Sequence, residues 1–169
     1  MKYLSGDILT VQSGYILQQC NCIGLWPRGL SYDLNKTFPD TCPYKYRRSQ
    51  DGKNAIVEDH STPGTVAIYQ SKQGPIIINL FGQYSYGGPK ENRNVPDTAE
   101  MREKYFKQGL NALVEFFLGT DKLVRIAVPF KIGCGLAQGY WPHYEQMLIQ
   151  FEKDLLENGI DIELTVYRK

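Results

Sequence analysis

Short apolar runs alternate along the chain with longer stretches in which apolar residues recur every three or four positions. Residues 1–4, 15–20, 65–70, 75–81, 123–129 and 160–167 have the length and alternation of strands. Ile76, Ile77, Ile78 and Leu80 form a nearly continuous apolar run, which predicts a strand buried on both faces. Tyr105, Phe106, Leu110, Leu113, Val114 and Phe117 form the stripe of an amphipathic helix over 98–118. Met147, Leu148, Phe151 and Leu155 do the same over 140–157, closed by Asn158-Gly159. A shorter helix is predicted over 29–38, stopped by Pro39. Residues 40–63 carry little periodicity and read as loop with at most one helical turn. Residues 84–96 are rich in Gly, Pro, Asn and charge, too polar for burial, and read as a surface loop.

Strands alternating with helices predict an α/β domain of three layers, α/β/α, around about six strands. Residues 65–81 read as a hairpin, and the turn at Ser5-Gly6-Asp7 reads as joining an early strand pair. Both make the sheet mixed and mostly parallel. Neither repeats nor a linker interrupt residues 1–169, so a single domain is expected.

The chain is 42% hydrophobic and 22% charged, with a net charge of +1. Such a balance argues against a general electrostatic grip on nucleic acid or an anionic membrane; any phosphate would be held by local geometry. The first residues lack a basic leader with a long apolar core, and no window approaches the ~20 apolar residues of a membrane helix. A soluble, cytoplasmic monomer is expected, nuclear as well in a eukaryotic source. Four cysteines and two well-separated histidines, His60 and His143, offer no close-set metal ligands, so neither metal nor cofactor is implied.

In a sheet of this kind, ligands gather at the carboxyl ends of strands. Three loops qualify. Ser5-Gly6-Asp7-Ile8 follows the first strand, and Asp7 suits either a helix N-cap or a carboxylate that accepts a purine amine. Gln19-Cys20-Asn21-Cys22 leads through Gly24 and Gly29 into a helix, bringing backbone N–H groups and a helix N-terminus to a strand end. Asn21 suits a satisfied turn amide and a sugar contact equally. Lys131-Ile132-Gly133-Cys134-Gly135-Leu136-Ala137 follows a buried strand, with neither the Lys-Ser/Thr of a Walker loop nor the position of a dinucleotide fingerprint. Cys134 has no paired base in sequence, and His143 suits helix-start packing.

Taken together, Gly6-Asp7-Ile8, Gln19-Cys20-Asn21-Cys22 leading to Gly29-Leu30, Ile132-Gly133-Cys134-Gly135-Leu136 and the closing Leu164-Thr165-Val166-Tyr167 resemble the macrodomain family in order and spacing, over nearly the whole chain. The resemblance is strongest to the branch containing ADP-ribose 1''-phosphate phosphatase and terminal ADP-ribose protein glycohydrolase. It implies that ADP-ribose or its 1''-phosphate is the ligand. Asp7 and Ile8 would then meet adenine and Tyr167 would flank it. Lys131, Ile132, Gly133, Cys134, Gly135, Leu136 and Ala137 would wrap the diphosphate. Cys20, Asn21, Gly24, Arg28, Gly29 and Leu30 would surround the distal ribose, where Asn21 and Asp33 would orient water.

The chain also departs from the family pattern. Pro27-Arg28-Gly29 stands where many macrodomains carry a run of glycines, which introduces a cation. The glycohydrolase branch has a lysine near Phe81 and an aspartate after Gly-Cys-Gly-Leu; here those places hold Gly82 or Gln83, and Ala137. Removal of a 1''-phosphate leads the implied activities. A non-catalytic ADP-ribose module, and removal of ADP-ribose from protein or nucleic acid, are the alternatives.

Overall fold

The computed structural model describes residues 1–91 and 94–169. Nine elements build the domain: β1 (Lys2–Ser5), β2 (Tyr15–Asn21), α1 (Leu30–Thr37), β3 (Val66–Gln70), β4 (Ile76–Gln83), α2 (Ala99–Phe117), β5 (Val124–Pro129), α3 (Trp141–Glu157) and β6 (Ile162–Arg168). The predicted elements all form, with ends shifted by a residue or two. Short 3₁₀ turns at Pro39–Thr41 and Val57–Asp59 punctuate the segment read as loop.

The strands make one sheet in the order β1-β6-β5-β2-β4-β3. Only β3 and β4 pair antiparallel, as the predicted hairpin; the other neighbours are parallel. One expectation is corrected. β1 and β2 are not neighbours: β1 pairs with β6, and β5 and β6 lie between β1 and β2. Residues 8–13 cross the sheet instead of turning back, because Ile8 packs into the α1 side of the core beside Ile16 and Ala127.

Alternation along the strands separates two cores. Leu17, Ile78, Leu80, Ile126, Val128 and Leu164 face α2 and α3, meeting Phe106, Leu110, Leu113, Leu148, Phe151 and Leu155. Ile16, Ile77 and Ala127 face the other way, against Leu34 and Phe38 of the α1 region. A third cluster, with Cys20, Cys22, Cys42, Tyr44 and Phe81, lies beneath the long 39–61 segment. Among the described residues no helix is long and apolar enough to cross a membrane.

α2 starts where the Thr98 hydroxyl accepts from the Met101 N–H. It sits so close to β4 that a Cβ at Gly109 would stand 2.4 Å from Leu80 Cγ and 2.7 Å from both Leu80 methyls. Gly109→Ala is therefore expected to destabilise the fold despite alanine's helix propensity. Overpacking of about 1–3 kcal/mol outweighs a propensity gain of about 1 kcal/mol. The urea midpoint should fall; an unchanged or higher midpoint would show that the α2–β4 contact yields.

Candidate functional site

A cleft of about 390 Å³ opens at the carboxyl ends of β2, β4 and β5, between the loops that follow them. Its walls come from residues 26–31, 83–87 and 129–137, and its floor from Gln18, Gln19, Asn21 and Tyr44.

The 131–139 loop forms the first wall. Lys131 and Gln138 both hold φ of 61° and Gly133 φ of 73°, so the backbone alternates hand in the way that builds an anion-binding concavity. Two non-glycine residues at positive φ are sparsely populated conformations that the surroundings must enforce. Gly133 has no room for a side chain, since a Cβ would lie 2.8 Å from the Tyr144 ring and 2.9 Å from Gln19 Oε1. The loop closes on itself through Cys134 N to Lys131 O, Gln138 N to Gly135 O and Gly139 N to Gly133 O, each 2.9 Å. None of the hydrogen bonds among the described residues uses the backbone N–H of Gly133, Gly135, Leu136 or Ala137. All four residues line the cleft.

Behind this wall sits Arg102, 2% exposed, on the first turns of α2. It pairs with the fully buried Asp97 at 2.9 Å. Its remaining N–H groups reach the carbonyls of Ser85, Gly87, Gly88 and Ala137 at 2.7–3.2 Å. Asp97 in turn accepts from the Tyr84 and Ser85 N–H groups. One ion pair thus ties the 84–97 segment to the glycine loop. It also corrects the expected surface loop: Ser85 is buried, and Tyr84 and residues 86–90 are half-buried, because their polar backbone atoms have an interior partner. Residues 92 and 93 of that loop lie outside the described residues.

The opposite wall is the 22–29 loop with the start of α1. Asn21 Oδ1 accepts from the Gly24 N–H at 2.7 Å and the Ile23 N–H at 3.2 Å, so the carboxamide oxygen holds the turn. Its Nδ2 lies 3.5 Å from the Tyr44 hydroxyl, which accepts from the Asn21 N–H at 3.0 Å. Arg47 stacks on the Tyr44 ring at 4.7 Å and donates to the carbonyls of Asn21 and Gly24. Burial holds the Tyr44 phenol well above its ordinary range, so it stays neutral. Gly29 caps α1 with φ 57° and ψ −131°, a conformation that favours glycine, and contributes no side-chain cap. The N–H groups of Leu30 and Ser31 thus remain at a helix N-terminus on the cleft wall.

Two chains of amides fix the floor. Ser31 Oγ donates to Gln18 Oε1, Gln18 Nε2 to Asn79 Oδ1, and Asn79 Nδ2 to the Thr41 carbonyl. Gln19 Nε2 donates to Gln83 Oε1, and Gln83 Nε2 to the Ser85 carbonyl. β2 and β4 slip register at Cys20/Asn21, so Gln83 rather than Gly82 stands opposite Asn21.

Of the residues expected from the sequence, Asn21, Arg28, Gly29, Leu30, Lys131, Ile132, Gly133, Gly135, Leu136 and Ala137 line the cleft. Cys20 and Gly24 are buried behind it, and Cys134 is half-buried beside it. Burial pushes the Cys134 thiol up to about 11, so it stays protonated at neutral pH. Asp33 lies exposed on α1, two residues past Ser31, and is not among the residues that line the cleft. Asp7, Ile8 and Tyr167 also lie outside the cleft lining. Ile8 and Tyr167 share the α1-side cluster, and the Tyr167 carbonyl accepts from the N–H of cleft residue Phe130. Asp7 Oδ1 caps the short turn at Leu9, the N-cap reading, and Oδ2 stands 3.7 Å from Lys169 Nζ. Sequence reasoning placed Gln19, Trp26 and Phe130 in the candidate loops without giving them a role, and it missed Gln18, Tyr44 and Tyr86. Among the described residues no Asp, Glu or His lines the cleft, and no cluster could hold a metal ion.

No protein-family model and no curated protein matches the chain. Solved structures do. A macrodomain protein from Streptomyces coelicolor aligns over 99% of this chain and 98% of its own, at 19% identity and TM-score 0.60. The chain has the macrodomain fold. The Trypanosoma brucei macrodomain aligns over 98% of this chain and 59% of its own, at 10% identity and TM-score 0.62. A mutant of the Oceanobacillus iheyensis macrodomain gives 16% identity and TM-score 0.61, over 98% of this chain and 79% of its own.

Within this macrodomain fold, the Asp97–Arg102 pair joins two walls of the cleft. Arg102→Ala should cost about 3–5 kcal/mol, because it strands a buried carboxylate. Chemical denaturation measures the loss. A cost below about 1 kcal/mol, the range of exposed pairs, would mean that the pair is not what holds the walls.

Proposed function

We propose that the cleft binds ADP-ribose and that the chain hydrolyses ADP-ribose 1''-phosphate to ADP-ribose and phosphate. The observation that carries this reading is a set of backbone N–H groups, at Gly133, Gly135, Leu136 and Ala137, that are unengaged among the described residues, on a cleft whose other wall holds the α1 N-terminus and whose described lining has no carboxylate. Amides so arranged favour a diphosphate. Another Oceanobacillus iheyensis macrodomain mutant with ADPR, at 17% identity and TM-score 0.51, is consistent with that ligand.

Catalysis rests on placement. Water oxygen bonds to phosphorus while the bond from phosphorus to the C1'' oxygen breaks. One water proton goes to the released sugar hydroxyl, and the phosphate keeps the other. The transition state of phosphoryl transfer is loose, so positioning and charge stabilisation suffice without a strong base. Asn21 Nδ2, whose partner oxygen is locked by the turn, orients the terminal group or the water.

A described lining without Asp, Glu or His also favours a second reading, a module that binds ADP-ribose without chemistry. Phosphate release from ADP-ribose 1''-phosphate separates the two. Hydrolysis is expected to fall roughly tenfold or more in Asn21→Ala. Binding of ADP-ribose with no release above that variant would establish the module, and no binding at all would overturn both.

The pH profile is a further check. Histidine and carboxylates are absent from the described lining and Tyr44 stays neutral, so that lining contributes no titrating base between about pH 5 and 8. kcat/KM should show one inflection, near the second phosphate ionisation of the substrate at about pH 6. A bell-shaped profile would require a protein acid or base and would refute this mechanism.

A further inference from the structure

We infer that Arg28 makes the cleft select an ADP-ribose that carries a terminal phosphate monoester over ADP-ribose itself. The inference rests on the ADP-ribose reading and adds the residue that reads the terminal group.

The charges of the cleft are the starting point. Among the described residues, Arg28 and Lys131 line the cleft, no carboxylate does, and neither cation takes part in an ion pair. The two stand on different walls. Lys131 belongs to the glycine loop, its ammonium 5.6 Å from the Phe130 ring centroid, next to the unengaged amides. Arg28 lies on the opposite wall, just before the N-terminus of α1. The diphosphate of ADP-ribose carries about two negative charges, which the loop amides and Lys131 already oppose. Arg28 is a further cation, and it has no ion-pair partner among the described residues.

Its backbone is stiff. Trp26 is 64% exposed, yet its Nε1 is fixed to the Gly52 carbonyl at 3.1 Å. Pro27 restricts φ, and Gly29 turns the chain into α1 at φ 57°. A two-residue span between an anchored indole and a helix cap holds Arg28 at the rim, while its guanidinium remains uncommitted. A planar guanidinium matches phosphate oxygens two at a time, and a dianion engages it more strongly than a sugar hydroxyl does. The lone-pair geometry of a neutral anomeric hydroxyl gives no such pairing.

Calorimetry with ADP-ribose and with ADP-ribose 1''-phosphate on the intact chain tests this, with the non-hydrolysable 1''-phosphonate in place of the phosphate if turnover interferes. The phosphorylated nucleotide should bind roughly tenfold more tightly, the size of one charge-assisted hydrogen bond. Arg28→Gln should abolish the ratio, Arg28→Lys should restore part of it, and high salt should shrink it. Lys107→Gln removes an exposed charge on α2 away from the cleft and should leave the ratio as it is, which separates a local contact from net charge. Because Arg28 is exposed, its variants should melt with the parent. Equal affinity for both nucleotides in the parent, or a preference that survives in Arg28→Gln, overturns the role of Arg28 and leaves the ADP-ribose reading standing. Failure to bind either nucleotide overturns the reading and this inference together.

Discussion

A guanidinium out of water is costly unless every donor is used, and Arg102 meets that condition with six hydrogen bonds. Two go to Asp97 and four to backbone carbonyls from separate loops. The carbonyls of Ser85, Gly87, Gly88 and Ala137 are thereby drawn behind the cleft wall. Satisfying a carbonyl on one side of a tight loop leaves adjacent N–H groups free to point elsewhere. The unengaged amides of Gly135, Leu136 and Ala137 are the other half of that arrangement. The strained φ of Gln138 persists beside a fixed point of this kind.

Arg47 follows the same logic on the other wall. It takes the carbonyls of Asn21 and Gly24 from behind, with its guanidinium laid on the Tyr44 ring. Partial burial lowers its affinity for a proton, yet the stacked and hydrogen-bonded setting keeps a guanidinium charged. Two arginines, one on α2 and one in the 39–61 segment, brace loops that the sheet alone would leave unsupported. They also contribute positive potential behind surfaces whose groove is lined with N–H dipoles.

The fold was legible because its signals repeat. Leu110, Leu113 and Phe117 on α2, and Leu148, Phe151 and Leu155 on α3, announce their buried faces by spacing alone. Gly133 and Gly29 marked two loops of the cleft: both hold positive φ, and at Gly133 close packing excludes a side chain as well. Arg102 could not be found this way. It lies three residues before Tyr105 on the buried stripe, but an arginine in such a place usually reads as a solvated rim position. Its partner Asp97 sits in a stretch whose composition suggests exposure. Gln18 and Asn79 were likewise hidden within apolar strands; each is buried because the other is opposite, a pairing that only the β2–β4 register creates. Asp33, by contrast, stands outside the cleft lining. Proximity in sequence to a helix N-terminus says nothing about which face of the helix a side chain occupies.

The amide chains of the floor carry a consequence for the whole site. Asn79 Nδ2 meets the Thr41 carbonyl and Gln83 Nε2 meets the Ser85 carbonyl, and a carbonyl can only accept. Each chain therefore has a fixed direction, which assigns the oxygen and nitrogen ends of Gln18 and Gln19. Gln19 Oε1 is then left as a buried acceptor without a donor, squeezed against Gly82 and Gly133. Its unmet hydrogen bond is a local cost that a charged side chain here would multiply. Among the described residues, the amides of the floor, the backbone N–H groups of the walls and the cations Arg28 and Lys131 line the cleft without a histidine or a carboxylate, so their field stays constant across the pH range where such groups would alter it. What such a site can discriminate is the charge and position of the ligand's own anionic groups, and that places its selectivity in the ligand's ionisation and in the rim that meets it.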